Sequence, residues 1–243
     1  MYCYSLEIKM GAMIMIAISK YPALRCNYGN ARALNTIKYI VIHYTANDGD
    51  TALSNAKYFA RGNRGASAHY FIDSNNIVQS VEDNYVAWSV GGSKYSDCSK
   101  TGGGKFYSKC TNSNSLSIEI CDDIKNNAIY PTEATINNVV DLVRTLMKKY
   151  NVSIDNVIRH FDVTGKKCPM YWCGDSQKNA KWQEFKSRLE EKVMKQNIKI
   201  NEKIKTVDAI NKDGYTYIKI RGLSDILNIS YDKETKLISV STK

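Results

Sequence analysis

The chain has 243 residues, of which 43% are hydrophobic and 24% charged, and its formal net charge is +10. This composition is typical of a globular protein with one full core and room for a small second module. The positive charge favours an anionic polymer as partner, but no nucleic-acid recognition motif is visible and the aromatic residues do not alternate with a basic stripe, which argues against nucleic acid.

The first strand is predicted at Tyr39–Tyr44, an apolar run typical of a buried strand. The residues before it, 1–35, show no clear pattern, and we interpret them as an N-terminal extension and lead-in. Thr51 is a suitable cap for a short helix that ends near Gly62. Two apolar runs, Ala68–Ile72 and Ile77–Val81, flank three turn residues and predict a β-hairpin.

A segment rich in glycine, serine, lysine and threonine follows at 91–114. It is predicted to be a long loop, and loops of this length in compact domains are often functional. Leu116–Cys121 alternates apolar with polar residues and predicts a strand in which Glu119 faces away from the apolar set. After Pro131, apolar side chains recur at helical spacing as far as Tyr150, which indicates the main core helix.

Val157-Ile158 predicts a short strand that leads to His160, and an amphipathic helix closes the first domain, giving it the bounds 36–194. Residues 195–208 carry no stripe and are interpreted as a linker. Residues 209–243 predict a small module with these elements: strands at Tyr215–Lys219, Ile229–Tyr231 and Leu237–Thr242, and a helix at Arg221–Leu227. The expected fold class is α/β, a central mixed β-sheet flanked by helices, followed by a small C-terminal α+β module.

Three potential metal ligands are spaced in an informative way. His43 ends the apolar strand, and His160 and Cys168 lie close together downstream, in a chain with only three histidines. Two histidines and one cysteine are the ligand set of a zinc site that keeps a fourth position for water, and such a site is catalytic rather than structural. The alternative is that His43 is a hydrogen-bonded core residue and Cys168 a buried thiol.

The seven cysteines form an odd set without framework spacing, which predicts synthesis in a reducing compartment. Cys98 and Cys110 flank the glycine-rich insert, and the sequence leaves open whether a disulfide joins them. The apolar run Ala12–Ile18 is shorter than the roughly 20 residues of a transmembrane helix. It follows Glu7 and precedes no small-residue cleavage site, so we expect no transmembrane segment and no signal peptide.

Five stretches of the chain resemble, in the same order, the zinc-dependent N-acetylmuramoyl-L-alanine amidases of the superfamily shared by phage lysins and peptidoglycan recognition proteins. The resemblance covers roughly residues 35–190. The matching stretches are Tyr39–Asn47 (YIVIHYTAN), Ser67–Asp73 (SAHYFID), Ala87-Trp88, Ser115–Cys121 (SLSIEIC) and Arg159–Pro169 (RHFDVTGKKCP).

The resemblance implies a peptidoglycan recognition protein-like fold and one Zn²⁺ per chain, held by His43, His160 and Cys168. It also implies that Glu119 is the catalytic acid–base and that Lys166 assists it. Glu119 as an ordinary strand carboxylate and Lys166 as a solvated loop residue are the alternatives. Five further residues are candidate substrate contacts: Tyr44, Thr45, Asn47, His69 and Trp88. For His69 a structural role is the alternative.

The chain departs from relatives at two positions. Some relatives carry a catalytic tyrosine where this chain has Ala68, which leaves proton transfer to Glu119. Many relatives have a histidine after the tryptophan, where this chain has Ser89. One polar group that faces the substrate is therefore missing from the expected site.

By this resemblance the chain is a peptidoglycan hydrolase that cleaves the amide between N-acetylmuramic acid and L-alanine. Its partner would be bacterial peptidoglycan, with anionic wall polymers as a further partner suited to its charge. We expect it to be made in the cytoplasm and to reach the wall after release, as in phage or prophage lysis. The C-terminal module resembles short modules of Gram-positive surface proteins, and wall binding or a spacer role are both open.

Two other functions remain open. The chain could act as a wall peptidase that uses Cys168 as nucleophile and His160 as base, a chemistry that needs an activated thiolate. It could also be a peptidoglycan-binding protein without catalytic activity, as in relatives that have lost the metal. Metal content and the products released from wall fragments separate the three.

Overall fold

The computed structural model describes residues 17–190, 193–200, 203–212, 215–218, 220–232 and 238–242. It divides into two compact units, residues 1–189 and 190–243. Residues 1–16 of the predicted N-terminal extension and lead-in lie outside the described residues. In the described part of the chain no helix has the length and apolar character needed to cross a bilayer.

The first unit contains eight described strands: β1 (Ile18–Lys20), β2 (Tyr28–Ala31), β3 (Tyr39–Tyr44), β4 (Tyr70–Ile72), β5 (Ile77–Gln79), β6 (Tyr85–Ala87), β7 (Ser115–Ile120) and β8 (Val157–Arg159). Six of them form a mixed sheet with the order β1-β5-β4-β7-β3-β8, and β2 and β6 form a separate pair. β3 lies between β7 and β8 and runs parallel to both, whereas β4 and β5 form an antiparallel hairpin. The predicted mixed sheet is confirmed.

Helices flank this sheet. They are α1 (Ala52–Phe59), α2 (Cys98–Thr101), α3 (Glu133–Tyr150), α4 (His160–Thr164) and α5 (Ser176–Leu189). Thr51 caps α1 as predicted. Its hydroxyl accepts a hydrogen bond from the Ser54 N–H, and the Ser54 hydroxyl accepts one from the Thr51 N–H. The apolar stripe of α3 packs on the same core as Ile40 and Ile42 of β3 and Leu116 and Ile118 of β7. That core fixes the two strands whose ends carry the site.

The lead-in segment belongs to the first unit from residue 18 onward. β1 pairs in parallel with β5, and β2 pairs with β6. Both strands are three or four residues long and mostly exposed. Their sequences show no alternation of apolar and polar residues, so the sequence analysis predicted an extension without strands. In the structure β1 is instead an edge strand of the sheet.

The segment 91–114 is ordered against α4 and is not a free loop. It contains α2 and a short 3₁₀ turn at Asn112–Asn114. Cys98 and Cys110 are both buried and both free thiols, so no disulfide joins them.

The second unit begins with a hairpin of β9 (Val193–Ile200) and β10 (Lys203–Lys212), to which β11 (Tyr215–Ile218) adds. The stretch 195–208, expected to be a linker, forms most of this hairpin. Val207 and Ala209 of β10 are buried and lie two positions apart, as expected for one face of a strand. The surrounding lysines and asparagines hid this short alternation in the sequence.

The rest of the second unit is a two-stranded sheet of β12 (Leu227–Tyr231) and β13 (Ile238–Thr242). The predicted strands are found, but the predicted helix at Arg221–Leu227 is a single 3₁₀ turn, Ile220–Leu223. α5 ends at Leu189 rather than near residue 194. The boundary between the units therefore lies earlier than predicted.

Candidate metal and catalytic site

The structure brings His43, His160 and Cys168 together. One donor atom from each lies within 4.8 Å of the other two. The His43 Nδ1 atom is 3.8 Å from the Cys168 Sγ atom, and the two imidazole centroids are 4.8 Å apart. Among the described residues no other group of three or more histidine, cysteine or acidic side chains is arranged in this way.

The sheet and a buried ion pair position these side chains. β8 pairs in parallel with β3, so the end of β8 delivers His160 beside His43. The Arg159 guanidinium binds both carboxylate oxygens of Asp162, at 2.9 and 2.7 Å, and so holds the start of α4. The Phe161 N–H donates to the Cys168 carbonyl at 3.0 Å, which folds the cysteine back towards the histidine.

Burial keeps both imidazoles neutral. It lowers the pKa of His160 to about 4, and the Lys166 ammonium adds to the effect. It lowers the pKa of His43 well below its ordinary value, helped by His160 and Lys166. Burial raises the pKa of the Cys168 thiol, and the nearby Glu119 carboxylate raises it further. At neutral pH the rings therefore offer free lone pairs, while the thiolate needs a cation to form.

Unsatisfied buried atoms mark the same place. The His43 Nε2, His160 Nδ1 and Glu119 Oε2 atoms are buried, and none has a hydrogen-bond partner within the part of the chain that the structure describes. Leaving a buried polar atom unpaired costs about 1–3 kcal/mol. Two imidazoles and a thiolate are a donor set that zinc prefers, and the three side chains have donor atoms within 4.8 Å of one another. The residues present fit a zinc ion.

Glu119 lies next to this group because of strand register. It is the direct cross-strand partner of His43, and its Oε1 atom is 3.9 Å from His43 Nδ1. Burial raises the pKa of Glu119 to about 8, the Lys166 ammonium opposes the shift and Asp50 adds to it. A carboxyl group with a pKa in this range can both accept and release a proton near neutral pH.

Lys166 lies on an open pocket of about 800 Å³ that reaches His160. The pocket is lined by Gly65, Trp88, Ser89, Gly91, Gly92, Ser93, Lys94, Tyr95, Asn112, His160, Thr164 and Lys166. Its volume suits a small-molecule or short-peptide ligand. A pocket, a cluster of possible metal ligands and a carboxyl group with a raised pKa occur together here. This combination is the usual pattern of an active site.

A family comparison agrees with this geometry. The model of the N-acetylmuramoyl-L-alanine amidase family matches residues 33–171, more than half of the chain. The chain belongs to this amidase family. The matched residues include the three clustered ligands, Glu119 and Lys166.

Individual relatives agree with the family match. The chain is 34% identical to N-acetylmuramoyl-L-alanine amidase CwlL of Bacillus licheniformis over 145 residues, 58% of this chain and 38% of the relative. It is 27% identical to amidase CwlA of Bacillus subtilis over 76% of this chain and 61% of the relative. The structure of the catalytic domain of XlyA matches with a TM-score of 0.55 and 26% identity, over 72% of this chain and all of that domain. The chain spans about two fifths of the length of the first curated relatives it matches.

Of the five predicted substrate contacts in this amidase-family chain, Trp88 lines the pocket and the other four do not. Tyr44 is half-buried and packs edge-on against Tyr171. The Thr45 hydroxyl and the Asn47 amide both donate to Asp50, each at 3.1 Å. These contacts favour a structural role for Thr45 and Asn47 in the loop that follows β3.

His69 is a core residue, and the prediction that it contacts substrate is not supported. Its side chain is 1% exposed. The Nδ1 atom accepts from the Ser117 N–H at 3.0 Å, so Nε2 carries the proton and donates to the Tyr85 carbonyl at 3.1 Å. Burial, with Arg32 nearby, lowers the pKa of His69 to about 3, which keeps the ring neutral. The ring links β4, β7 and β6.

The two positions at which the chain differs from relatives, Ala68 and Ser89, differ in burial. Ala68 is buried in a small core cluster with Phe71 and Val78. Ser89 lines the pocket, and its N–H donates to the Asn112 side chain at 3.0 Å. The missing histidine therefore leaves room in the pocket wall, whereas Ala68 fills a core position.

The sequence did not indicate the pocket residues Lys94, Tyr95 and Asn112. All three come from the long segment 91–114, whose composition predicted only a functional loop. Contacts distant in sequence place two of them: the Tyr95 N–H donates to the Thr164 carbonyl of α4, and the Asn112 side chain accepts from the N–H groups of Ser89 and Val90. Only the length of the segment pointed to them.

Proposed function

We propose that this chain is a zinc-dependent N-acetylmuramoyl-L-alanine amidase that hydrolyses peptidoglycan. The bond cleaved would join the lactyl group of N-acetylmuramic acid to L-alanine. The observation that carries the proposal is the buried cluster of His43, His160 and Cys168 with Glu119 beside it, in which the side chains of His43, His160 and Glu119 each have a buried unpaired atom. Membership of the amidase family supports it.

The proposed cofactor is one Zn²⁺ per chain, held by His43, His160 and Cys168. Two neutral imidazoles and one thiolate would leave the ion with a net charge of about +1. Zinc in such a site supplies Lewis acidity and lowers the pKa of water towards about 7. The neutral state of both histidines suits them as ligands without a prior proton loss.

The proton transfers would be carried by Glu119. As general base it takes a proton from the attacking water, and as general acid it gives that proton to the leaving nitrogen of L-alanine. Its raised pKa, about 8 before any cation is bound, suits the second step, and a cation beside it would bring the pKa down towards neutrality. One group can thus serve both steps.

Lys166 would stabilise the developing charge. It lines the pocket beside His160, where the carbonyl of a bound amide would lie within reach of its ammonium group. As the carbonyl carbon becomes tetrahedral its oxygen gains negative charge, and a cationic donor stabilises that charge. This role needs only the long, exposed side chain that Lys166 has.

Mass analysis of the fragments released from purified sacculi tests the bond assignment. The proposal expects free lactyl carboxyl groups on intact glycan chains and new L-alanine amino termini. New termini inside the peptide or new reducing sugars would contradict it. A preparation loaded with zinc that binds sacculi and releases nothing would support the non-enzymatic alternative instead.

The cysteine-peptidase alternative has less support. Cys168 is 3% exposed and burial raises the pKa of its thiol, whereas a nucleophilic cysteine needs a stabilised thiolate. The residues that follow form a three-residue 3₁₀ turn, Met170–Trp172, rather than a helix whose N-terminus faces the thiol. Activity that survives removal of all metal but not alkylation of Cys168 would favour this alternative.

We further propose bacterial peptidoglycan as the partner and the cell wall as the place of action. Wall polymers that carry phosphate suit the net charge of +10. Bacterial amidases and endolysins are among the relatives, which fits a lytic role. The second unit, residues 190–243, would add affinity for the wall, with a spacer role as the alternative.

A further inference from the structure

Part of the pocket wall is contributed by the glycine-rich segment, which is fixed in place by hydrogen bonds. The Tyr95 N–H donates to the Thr164 carbonyl at 2.8 Å. The Gly104 N–H donates to the Phe161 carbonyl at 3.0 Å, and the Phe106 N–H to the Asp162 carbonyl at 2.8 Å. These bonds bind both ends of the segment 94–106 to α4, which begins with the metal ligand His160.

Close packing restricts the Lys94 side chain. A Cβ atom on Gly104 would lie 2.6 Å from Lys94 Cε and 2.9 Å from Cys98 Sγ. Gly104 also has a φ of +68°, which other residues rarely adopt. The aliphatic part of Lys94 therefore lies over a glycine, while the residue as a whole remains exposed and lines the pocket. A side chain held in this way loses less freedom when it binds a ligand.

The charge of the pocket has one sign. Lys94 and Lys166 line it, and none of the described lining residues carries a carboxylate. Lys166 lies near the metal ligands and has a role in the proposed chemistry, whereas Lys94 has none. A pocket with a second cation that has no role in the proposed chemistry, and with aromatic rings from Trp88 and Tyr95, suits an anionic group on the substrate.

We propose that Lys94 binds a free carboxylate of the peptide attached to the lactyl group, and that it makes the site selective for carboxylate over carboxamide. This inference rests on the proposed amidase function for its substrate. A carboxamide has the same shape as a carboxylate but no charge, so it loses the ion pair and keeps its other contacts. Lys94 would then determine which walls are good substrates by the state of their peptide carboxylates.

The test compares one N-acetylmuramoyl peptide in two forms, with its carboxylates free and with them converted to carboxamides. Titration calorimetry of zinc-loaded protein that carries Glu119→Gln, which should keep the metal and hydrolyse the peptide at least about 100-fold more slowly, gives the Kd of each form. A kinetic assay without that substitution gives KM and kcat. Wild type should bind the free form about five-fold more tightly, the range for an ion pair open to solvent. Raising the salt concentration should reduce this preference.

The variant Lys94→Gln should bind the two forms within about two-fold of each other, with the change in KM rather than kcat. Lys100→Gln is the matched control, because it removes the same charge from an exposed position of the same segment outside the pocket. It should keep the wild-type preference.

Two outcomes separate this inference from the function it rests on. Equal binding of both forms by wild type, or an unchanged preference in Lys94→Gln, overturns the role of Lys94. Binding that depends on Lys94 without hydrolysis of either form would contradict the amidase function and leave the carboxylate site intact.

Discussion

At the scale of single residues, the site depends on one cross-strand pair. His43 and Glu119 are opposite each other on parallel strands, so the proposed metal ligand and the proposed acid–base group share one rigid support. Glu119 has an unpaired buried oxygen and a raised pKa, both of which a nearby cation would relieve. Its role can therefore be separated from that of the ligands by substitution.

The Glu119→Gln variant should still bind zinc but should hydrolyse the substrate much more slowly. The carboxamide has nearly the same volume but cannot accept and return a proton, so kcat should fall by at least about 100-fold. Zinc content, measured by mass spectrometry, should stay at the wild-type level. Cys168→Ala should instead lose both zinc and activity. A Glu119→Gln enzyme near the wild-type rate would remove Glu119 from the mechanism.

Gly165 should be intolerant of a side chain because it precedes Lys166 in a crowded turn. Its φ is +91°, and an added Cβ would overlap the Cys98 sulfur and lie 3.1 Å from Tyr95 Cβ. Gly165→Ala should lower the free energy of unfolding by about 1 kcal/mol for backbone strain and about 1–3 kcal/mol for overpacking. It should also lower kcat, since Lys166 is displaced. Urea denaturation and a kinetic assay measure the two effects.

Gly174→Ala is the control for Gly165→Ala. Gly174 has a φ of +108° but no atom within 4 Å of an added Cβ, so it reports backbone strain alone. Adding Cys98→Ala to Gly165→Ala should restore part of the lost stability because the sulfur is removed. Equal losses at the two glycines would show that packing against Cys98 contributes nothing.

At the scale of elements, a buried carboxylate ties the core helix to the hairpin of β4 and β5. Asp83 accepts hydrogen bonds from Tyr70 of β4 at 2.6 Å and from Gln79 of β5 at 3.1 Å. From α3 it accepts a bond from the Tyr150 hydroxyl and one from the Lys149 ammonium at 3.0 Å. Four donors from three elements converge on one side chain that is 6% exposed.

Asp83→Asn should destabilise the protein by about 2 kcal/mol at neutral pH, the range for hydrogen bonds to a buried charge. Burial by itself would raise the pKa of Asp83, but the bonds from Tyr150, Tyr70 and Lys149 outweigh it and hold the pKa below its ordinary value. The stabilisation is therefore complete above about pH 4 and is lost as the pH falls through the lower pKa of the folded state. Urea denaturation of both proteins at several pH values measures this.

The control for Asp83→Asn is Glu82→Gln. Glu82 is exposed and pairs only with exposed Lys20 across 3.1 Å, a contact that contributes about 1 kcal/mol or less. A difference between wild type and Asp83→Asn that stays constant down to acid pH would contradict the role given to the charge.

Prediction from sequence succeeded where a pattern is local. The apolar run of β3, the alternation of β7 and the stripe of α3 each gave an element that the structure contains. His43, His160 and Cys168 were recognised as candidate metal ligands because the chain has few histidines and these residues stand next to recognisable elements, and the structure brings the three together. β1, β2 and the hairpin of β9 and β10 were missed because their pairing partners decide their structure. For His69 the sequence left a structural role and a substrate contact as alternatives, because its position in a strand gives no information about the carbonyl and amide groups that surround its ring.

At the scale of the whole molecule, the two compact units make the catalytic part separable. The site residues all belong to residues 1–189, and the second unit has its own small core around Val207, Leu223 and Leu227. A cut near residue 200 would divide the hairpin of β9 and β10, whereas a cut at residue 190 leaves it out completely.

A chain that ends at residue 190 should fold and hydrolyse soluble N-acetylmuramoyl peptides at the rate of the full chain. Its affinity for purified sacculi should be lower, because a share of the positive charge and the proposed wall-binding surface are gone. Sedimentation with sacculi and a kinetic assay on soluble substrate measure the two properties. A shortened chain that does not fold would refute the division, and unchanged affinity for sacculi would favour the spacer role.

The zinc content of the active enzyme tests the central claim most directly. Metal analysis and activity on sacculi are measured on the same samples as a chelator removes the metal and added zinc restores it. The account predicts one zinc per chain in the active protein, with activity lost and regained in proportion to bound zinc. Full activity in a chain that holds no metal would contradict it.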